Sequence, residues 1–139
     1  MANTHNLFIS HSWQYSDSYE RLCNLLNERG YFWYNNYSVP KDDPVHTSGT
    51  DKELIEAIYN RIRLCHVVLI LGGVYSTYSK WINKEIMVAT KSFIVPKPII
   101  GIKPWGNANI SQIVHDNAAE IVGWNTESIV SAIRRHSNA

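Results

Sequence analysis

A chain of 139 residues, 45% hydrophobic and 18% charged, has the size and composition of one globular domain closing a core without disulfides or metals. Its formal net charge of +1, with no long basic or acidic block, argues against an electrostatic nucleic-acid surface; "IRRH" near the C-terminus fits a helix end, where cations meet the negative dipole. No apolar run approaches the roughly 20 residues of a membrane span, and "MANTHNLFIS" enters a strand directly, so neither a membrane segment nor a signal peptide is expected.

In chain order, "HNLFIS" is a short apolar run between polar residues and predicts a first strand. "DSYERLCNLLNERG" follows with Tyr19, Leu22, Cys23 and Leu26 on one helical stripe. Asp17 and Glu20 give it a capping-box-like start and Gly30 a C-terminal stop. The aromatic "YFWY" suits a second strand. "NNYSVPKDDPVHTSGT" then carries two prolines, a glycine and no periodicity. A loop this long in a small domain is more often functional than connective. Thr50 and Glu53 form a capping box that opens "DKELIEAIYNRIRL", where Leu54, Ile58 and Ile62 make an i, i+4, i+8 stripe. "HVVLILGG" is apolar without alternation, which predicts a central parallel strand buried on both faces.

"SKWINKEIMVA" sets Trp81 and Glu85 four residues apart in a predicted helix whose core stripe is Ile82, Ile86, Ala89 and Phe93. The two side chains stand one turn apart on one face, their Cβ atoms about 5–6 Å from each other. The pattern alone leaves Glu85 open between a catalytic carboxylate and a solvated helix glutamate. "KPIIGIKPW" predicts another buried strand, "GNANISQIVHDNA" an irregular stretch or one weak helical turn, "EIVGW" a final strand, and "TESIVSAIRRH" a final helix packing Ile129 and Ile133. Five strands alternating with about four helices call for a parallel sheet covered on both sides by right-handed crossovers. In such sheets ligands bind outside the carboxyl ends of the strands, which directs attention to residues 10–13, 35–49, 72–79 and 103–107.

Several chemistries lack their signatures. There is no G-x-G-x-x-G, no GxxxxGK[ST] and no G-x-S-x-G, so a Rossmann cofactor site, a P-loop and a serine hydrolase are not supported. The six histidines form no H-x3-H or HExxH pair, and Cys23 and Cys65 show no metal-ligand spacing. The two thiols are expected to be buried, in a reducing cytoplasm.

"NLFISHS" resembles the first box of Toll/interleukin-1 receptor (TIR) domains, and "DKELIEAIYNRIRLCHVVLILGGVYSTYSKWINKEI" resembles their second helix, central strand and W-x-x-x-E helix. The order "FISHSW", "YSVPKDDP", "YSKWINKEI", "PIIGIKPWG" and "EIVGWNTESIV" is similar to the prokaryotic TIR-like branch that includes the ThsB subunit of Thoeris antiphage systems. The resemblance spans roughly residues 6–135. It implies a single TIR-like domain over residues 1–139, of flavodoxin-like α/β fold, with a five-stranded parallel sheet ordered 2-1-3-4-5 and helices on both faces.

Enzymatic members of that family cleave NAD+ at the nicotinamide–ribose bond, and Thoeris TIR proteins convert the ADP-ribose half into a cyclic or modified signal that activates a separate effector. The resemblance implies Glu85 as catalytic carboxylate and Trp81 as its aromatic partner. Ser10 and His11 would sit at the pocket rim. The loop over residues 37–49, carrying Tyr37, Lys41, Asp42 and Asp43, would border the substrate. Tyr78, Trp81 and Trp105 are candidates to stack on nicotinamide or adenine. Weighed against these roles, His11 fits a structural residue equally well, Asp42 and Asp43 fit solvated loop charges, and "KPWG" fits a turn. Nicotinamide leaves a cationic ring as a neutral molecule, so one carboxylate suffices where ordinary glycoside hydrolysis needs two. No metal or cofactor is implied, NAD+ entering as substrate. The partners implied are NAD+, an effector reached through a diffusible nucleotide, and a second copy in weak, activation-dependent self-association through the loop; nucleic acid and membrane are not. Two alternatives stay open: a non-catalytic TIR adaptor acting by homotypic assembly, and a nucleoside deoxyribosyltransferase-like enzyme with Glu85 as covalent nucleophile.

Overall fold

The structure, a computed structural model, describes residues 4–10, 18–38, 50–71, 79–103 and 110–137. Its elements are β1 (Thr4–Ile9), α1 (Ser18–Glu28), β2 (Trp33–Asn36), α2 (Asp51–Ile62), β3 (Val67–Leu71), α3 (Ser79–Lys91), β4 (Ile99–Ile102), α4 (Gln112–Asn117), β5 (Glu120–Val122) and α5 (Thr126–His136). The strands form one parallel sheet ordered β2-β1-β3-β4-β5, the flavodoxin-like arrangement. Every residue of the central β3 is buried, because helices cover both faces and leave it no polar side.

Side chains alternate between the faces. Leu7 and Ile9 join Val67, Leu69 and Leu71 in a cluster closed by Leu22 and Leu26 of α1 and by Ile129, Val130 and Ile133 of α5. Phe8 joins Val68 and Ile70 beneath Leu54, Ile58 and Ile62 of α2 and Ile82, Ile86 and Ala89 of α3. Each fully buried Leu, Ile or Phe contributes about 1.5–3 kcal/mol, so these two layers dominate the stability of the fold. The chain leaves β1 toward β2 at one edge and returns to β3 on the other side of β1. The topological switch point therefore lies between the carboxyl ends of β1 and β3, where the Ser10 amide donates to the Leu69 carbonyl at 2.9 Å.

Local signals are realised where they are strong. Thr50 is the N-cap of α2, its hydroxyl oxygen accepting from the Glu53 amide at 3.1 Å. Only half of a capping box forms, since the Glu53 carboxylate accepts from the Thr50 hydroxyl at 3.2 Å. Gly30 takes φ +75° just past α1, the left-handed conformation of a helix stop.

Four expectations need correction. The second strand begins at Trp33, two residues later than "YFWY", because Tyr31 follows Gly30 into the left-handed region at φ 53° and belongs to the turn. Among the described residues the helices number five: "QIVHDN" forms α4, packed on β4. Gly101 makes room for it, since a Cβ there would stand 3.3 Å from Val114. Phe93 lies beyond the end of α3 and stacks on Tyr59 of α2 at 5.3 Å instead of extending the helix stripe. Of the thiols, Cys65 is buried and pushed up to about 12 by burial, whereas Cys23 is only half-buried.

Candidate active site

Glu85 is the seventh residue of α3, in its second turn. Its position relative to Ile82, Val88 and Ala89, three and four residues away, puts it on the buried stripe of the helix. Its side chain has 0% exposure, which removes the solvated-glutamate reading. A carboxylate held there as an ion needs protein donors in place of water. Ser10 supplies one: its hydroxyl, itself at 0% exposure, donates to Glu85 Oε1 at 2.7 Å.

The pair meets for a topological reason. Ile9 faces the α1–α5 layer, so Ser10, one residue on, faces α3. Ser10 stands at the carboxyl end of β1, at the switch point, and α3 carries Glu85 to it across 75 residues of sequence.

Around the pair, β2 ends in a polar network. The Tyr37 amide donates to the Leu7 carbonyl at 2.8 Å, and its half-buried side chain packs against the cluster holding Phe8 and Ile58. Ser38 is buried; its hydroxyl accepts from the Ile9 amide at 3.1 Å and donates to Asn36 Oδ1 at 2.5 Å. Asn36 in turn donates to the Tyr19 hydroxyl at 2.5 Å, and burial raises the Tyr19 phenol above its usual pKa, keeping it protonated. Lys84, beside Glu85 in sequence, turns to Asp51 of α2 at 3.7 Å.

Of the residues expected at the site, the structure brings Ser10 and Glu85 into contact and sets Tyr37 just past β2, on the sheet face covered by α2 and α3. Trp81 lies in the first turn of α3, one turn before Glu85; its side chain is outside the described residues. His11, Lys41, Asp42, Asp43, Tyr78 and Trp105 also lie outside them, as do residues 39–49 of the loop. Ser38 and Asn36 are additions. They fall in the 35–49 stretch flagged at a strand end, but the polar cluster "NNYS" resembles loop composition until Asn36 is seen paired with Leu7, so neither stood out individually. Among the described residues no group of His, Cys, Asp or Glu could hold a metal. An open groove of about 470 Å³ between β5 and α5, lined in part by Glu120, Glu127 and Arg135, shares no residue with the Ser10–Glu85 pair. Its two acids and its base are already partnered, Glu120 with Arg135 and Glu127 with Arg29.

The sequence matches the family model described as Thoeris protein ThsB, TIR-like domain, over residues 8–109. The chain belongs to that family. The matched segment takes in Ser10, Ser38 and Glu85, while β5 and α5 of this ThsB-type TIR-like domain lie beyond it. No curated protein matches the chain. Among its described residues, no helix is long and apolar enough to cross a membrane.

Proposed function

We propose that this ThsB-type TIR-like domain is a cytoplasmic enzyme of antiphage defence, cleaving NAD+ at the nicotinamide–ribose bond and yielding a cyclic or modified ADP-ribose signal for a separate effector. The observation that carries the reading is the fully buried Glu85 carboxylate, bonded to Ser10 at the switch point of a parallel sheet. Family membership supports it independently.

The chemistry suits one carboxylate. When the C1′–N bond breaks, its electron pair returns to the pyridinium nitrogen and nicotinamide departs neutral, so no acid is needed to protonate the leaving group. Positive charge passes to the ribosyl oxocarbenium, and a fixed negative charge with little water around it stabilises that ion far more than it would in bulk solvent. Ser10 holds Oε1 in place. A water attacking C1′ and losing a proton gives ADP-ribose; a nitrogen or hydroxyl of the adenosine half, attacking and losing its proton instead, gives a cyclic product.

Incubating the purified protein with NAD+ and identifying products by mass spectrometry tests the reading. Nicotinamide release by the wild type and its loss in Glu85→Gln are expected. An untouched NAD+ pool at every protein concentration would favour the non-catalytic adaptor, and a trapped glycosyl–Glu85 ester would favour the deoxyribosyltransferase-like course.

A further inference from the structure

The carboxyl end of β1 is held from two sides. On the β3 side, the Ser10 amide donates to Leu69 at 2.9 Å. On the β2 side, Leu7 receives the Tyr37 amide, and the next group facing that way is the Ile9 N–H. Strand β2 has ended at Asn36, so no further rung of the ladder supplies an acceptor. Ser38 does so with its side chain, accepting from Ile9 at 3.1 Å. Its hydroxyl proton goes to Asn36 Oδ1 at 2.5 Å, and that same oxygen accepts the Ser38 amide at 3.0 Å. The bonds fix the rotamer of Ser38, at 7% exposure, so that its lone pair is aimed at β1. The residue after Ile9 is Ser10, whose hydroxyl grips Glu85.

We propose that Ser38 is a positioning residue for Glu85, acting through the Ile9–Ser10 peptide: by completing the β1–β2 ladder with a hydroxyl, it fixes the backbone from which Ser10 reaches the carboxylate. The inference rests on the reading of Glu85 as the catalytic group. Removing the hydroxyl leaves the Ile9 N–H without its acceptor at the strand end, and the Ser10 hydroxyl loses its fixed aim. Displacement of a reacting group by about 1 Å costs on the order of 100-fold in rate, so partial loosening is expected to cost about tenfold.

The test compares Ser38→Ala and Ser38→Thr with wild type by amide exchange at Ile9, by carbon-13 titration of the Glu85 carboxyl, and by NAD+ kinetics. In Ser38→Ala, Ile9 exchange is expected to quicken about tenfold or more, the Glu85 titration midpoint to move, and kcat to fall about tenfold with KM within twofold. Ser38→Thr, which keeps the hydroxyl, restores all three. Should Ser38→Ala fail to fold, Asn36→Ala, which removes the group orienting Ser38, is read by the same measurements. An unchanged Ile9 exchange rate overturns the proposal, as does a freed Ile9 amide beside an unmoved Glu85 titration and kcat. A wild type that releases no nicotinamide sinks the enzymatic reading alone, and the carboxyl titration then decides whether Ser38 positions Glu85.

Discussion

At the scale of single residues, Glu85 has exchanged all of its water for protein contacts, at 0% exposure in a stripe of isoleucine, valine and alanine. A helix position like this is ordinarily filled by an aliphatic side chain, since burying an ionised carboxylate costs several kcal/mol even when partnered. Glu85→Gln keeps an acceptor for Ser10 and nearly the same volume while deleting the charge. Nicotinamide release is expected to fall by at least about 100-fold, in line with the loss of one electrostatic stabiliser, while the melting temperature moves by no more than about 4 °C. Retained turnover in this variant would remove Glu85 from the mechanism. Ser10→Ala takes away a donor to a charged acceptor and is expected to cost about 1.5–3 kcal/mol by urea denaturation, with a parallel loss of kcat. A Ser10→Ala protein as stable as wild type would mean that the hydroxyl contributes nothing to holding the carboxylate.

At the scale of elements, two local devices define helix ends. Thr50→Ala removes the cap of α2 and is expected to destabilise by about 1 kcal/mol. Gly30→Ala has no neighbouring atom within 4 Å to clash with, so its cost is purely the left-handed backbone, about 1–2 kcal/mol. Because Gly30 lies before β2, at the rim opposite Ser10, NAD+ turnover should survive its replacement; a variant stable but inactive would contradict that placement. Both devices were legible in the sequence because a cap and a stop act through residues three or four apart. The unbroken apolar run of β3 was legible for a similar reason: full burial on both faces leaves its mark on every residue. Neither α4 nor the start of β2 had that advantage. The six residues of α4 carry too short a pattern to declare a helix, and what seats them is Val114 against Gly101 of the preceding strand, a contact outside the reach of helical periodicity. The start of β2 was hidden because Tyr31 looks like a strand residue yet takes a turn conformation, exposing its ring at 81%.

At the scale of the whole molecule, α5 closes the core and is tied to the sheet by two titrating groups. His5 of β1, 7% exposed and stacked on Phe32 at 5.5 Å, has its Nδ1 2.7 Å from the Ser137 hydroxyl at the end of α5. Burial first, then the charges of His66 and Arg134, lower its pKa below the ordinary 6.5. Glu120 of β5 is held below 4.5 chiefly by the hydrogen bond from Arg135 of α5, with His136 adding to it. For both groups the folded state binds its proton more weakly than the unfolded chain, so each stabilises above its ordinary pKa and loses that contribution as pH falls. Thermal melts are expected to be flat just above pH 7, to decline above 9.0 where the unfolded chain ionises Cys65 and the fold does not, to decline from 6.5 downward as the His5 and His66 contributions fade, and to decline again below 4.5 as Glu120 protonates. His5→Gln should shrink the first decline to the part due to His66, whose pKa burial also lowers, and leave the second. A melting temperature that rose on acidification from pH 7 downward would contradict both assignments.

What the sequence alone determined is whatever short-range physics writes into neighbouring residues: the alternation of buried strands with amphipathic helices, the cap at Thr50, the stop at Gly30, and a motif placing Glu85 after the central strand. Parallel order with helices on both faces followed from the order of those elements, and the family's boxes named the carboxylate. Only the tertiary structure decided that Glu85 is buried, that Ser10 is its donor, and that Ser38 completes the ladder beside it. Those contacts join residues 75 and 29 positions apart. They exist because the sheet crossovers bring three separate strand ends to one rim, and a distance of that kind leaves no periodicity in the chain for a reader to find.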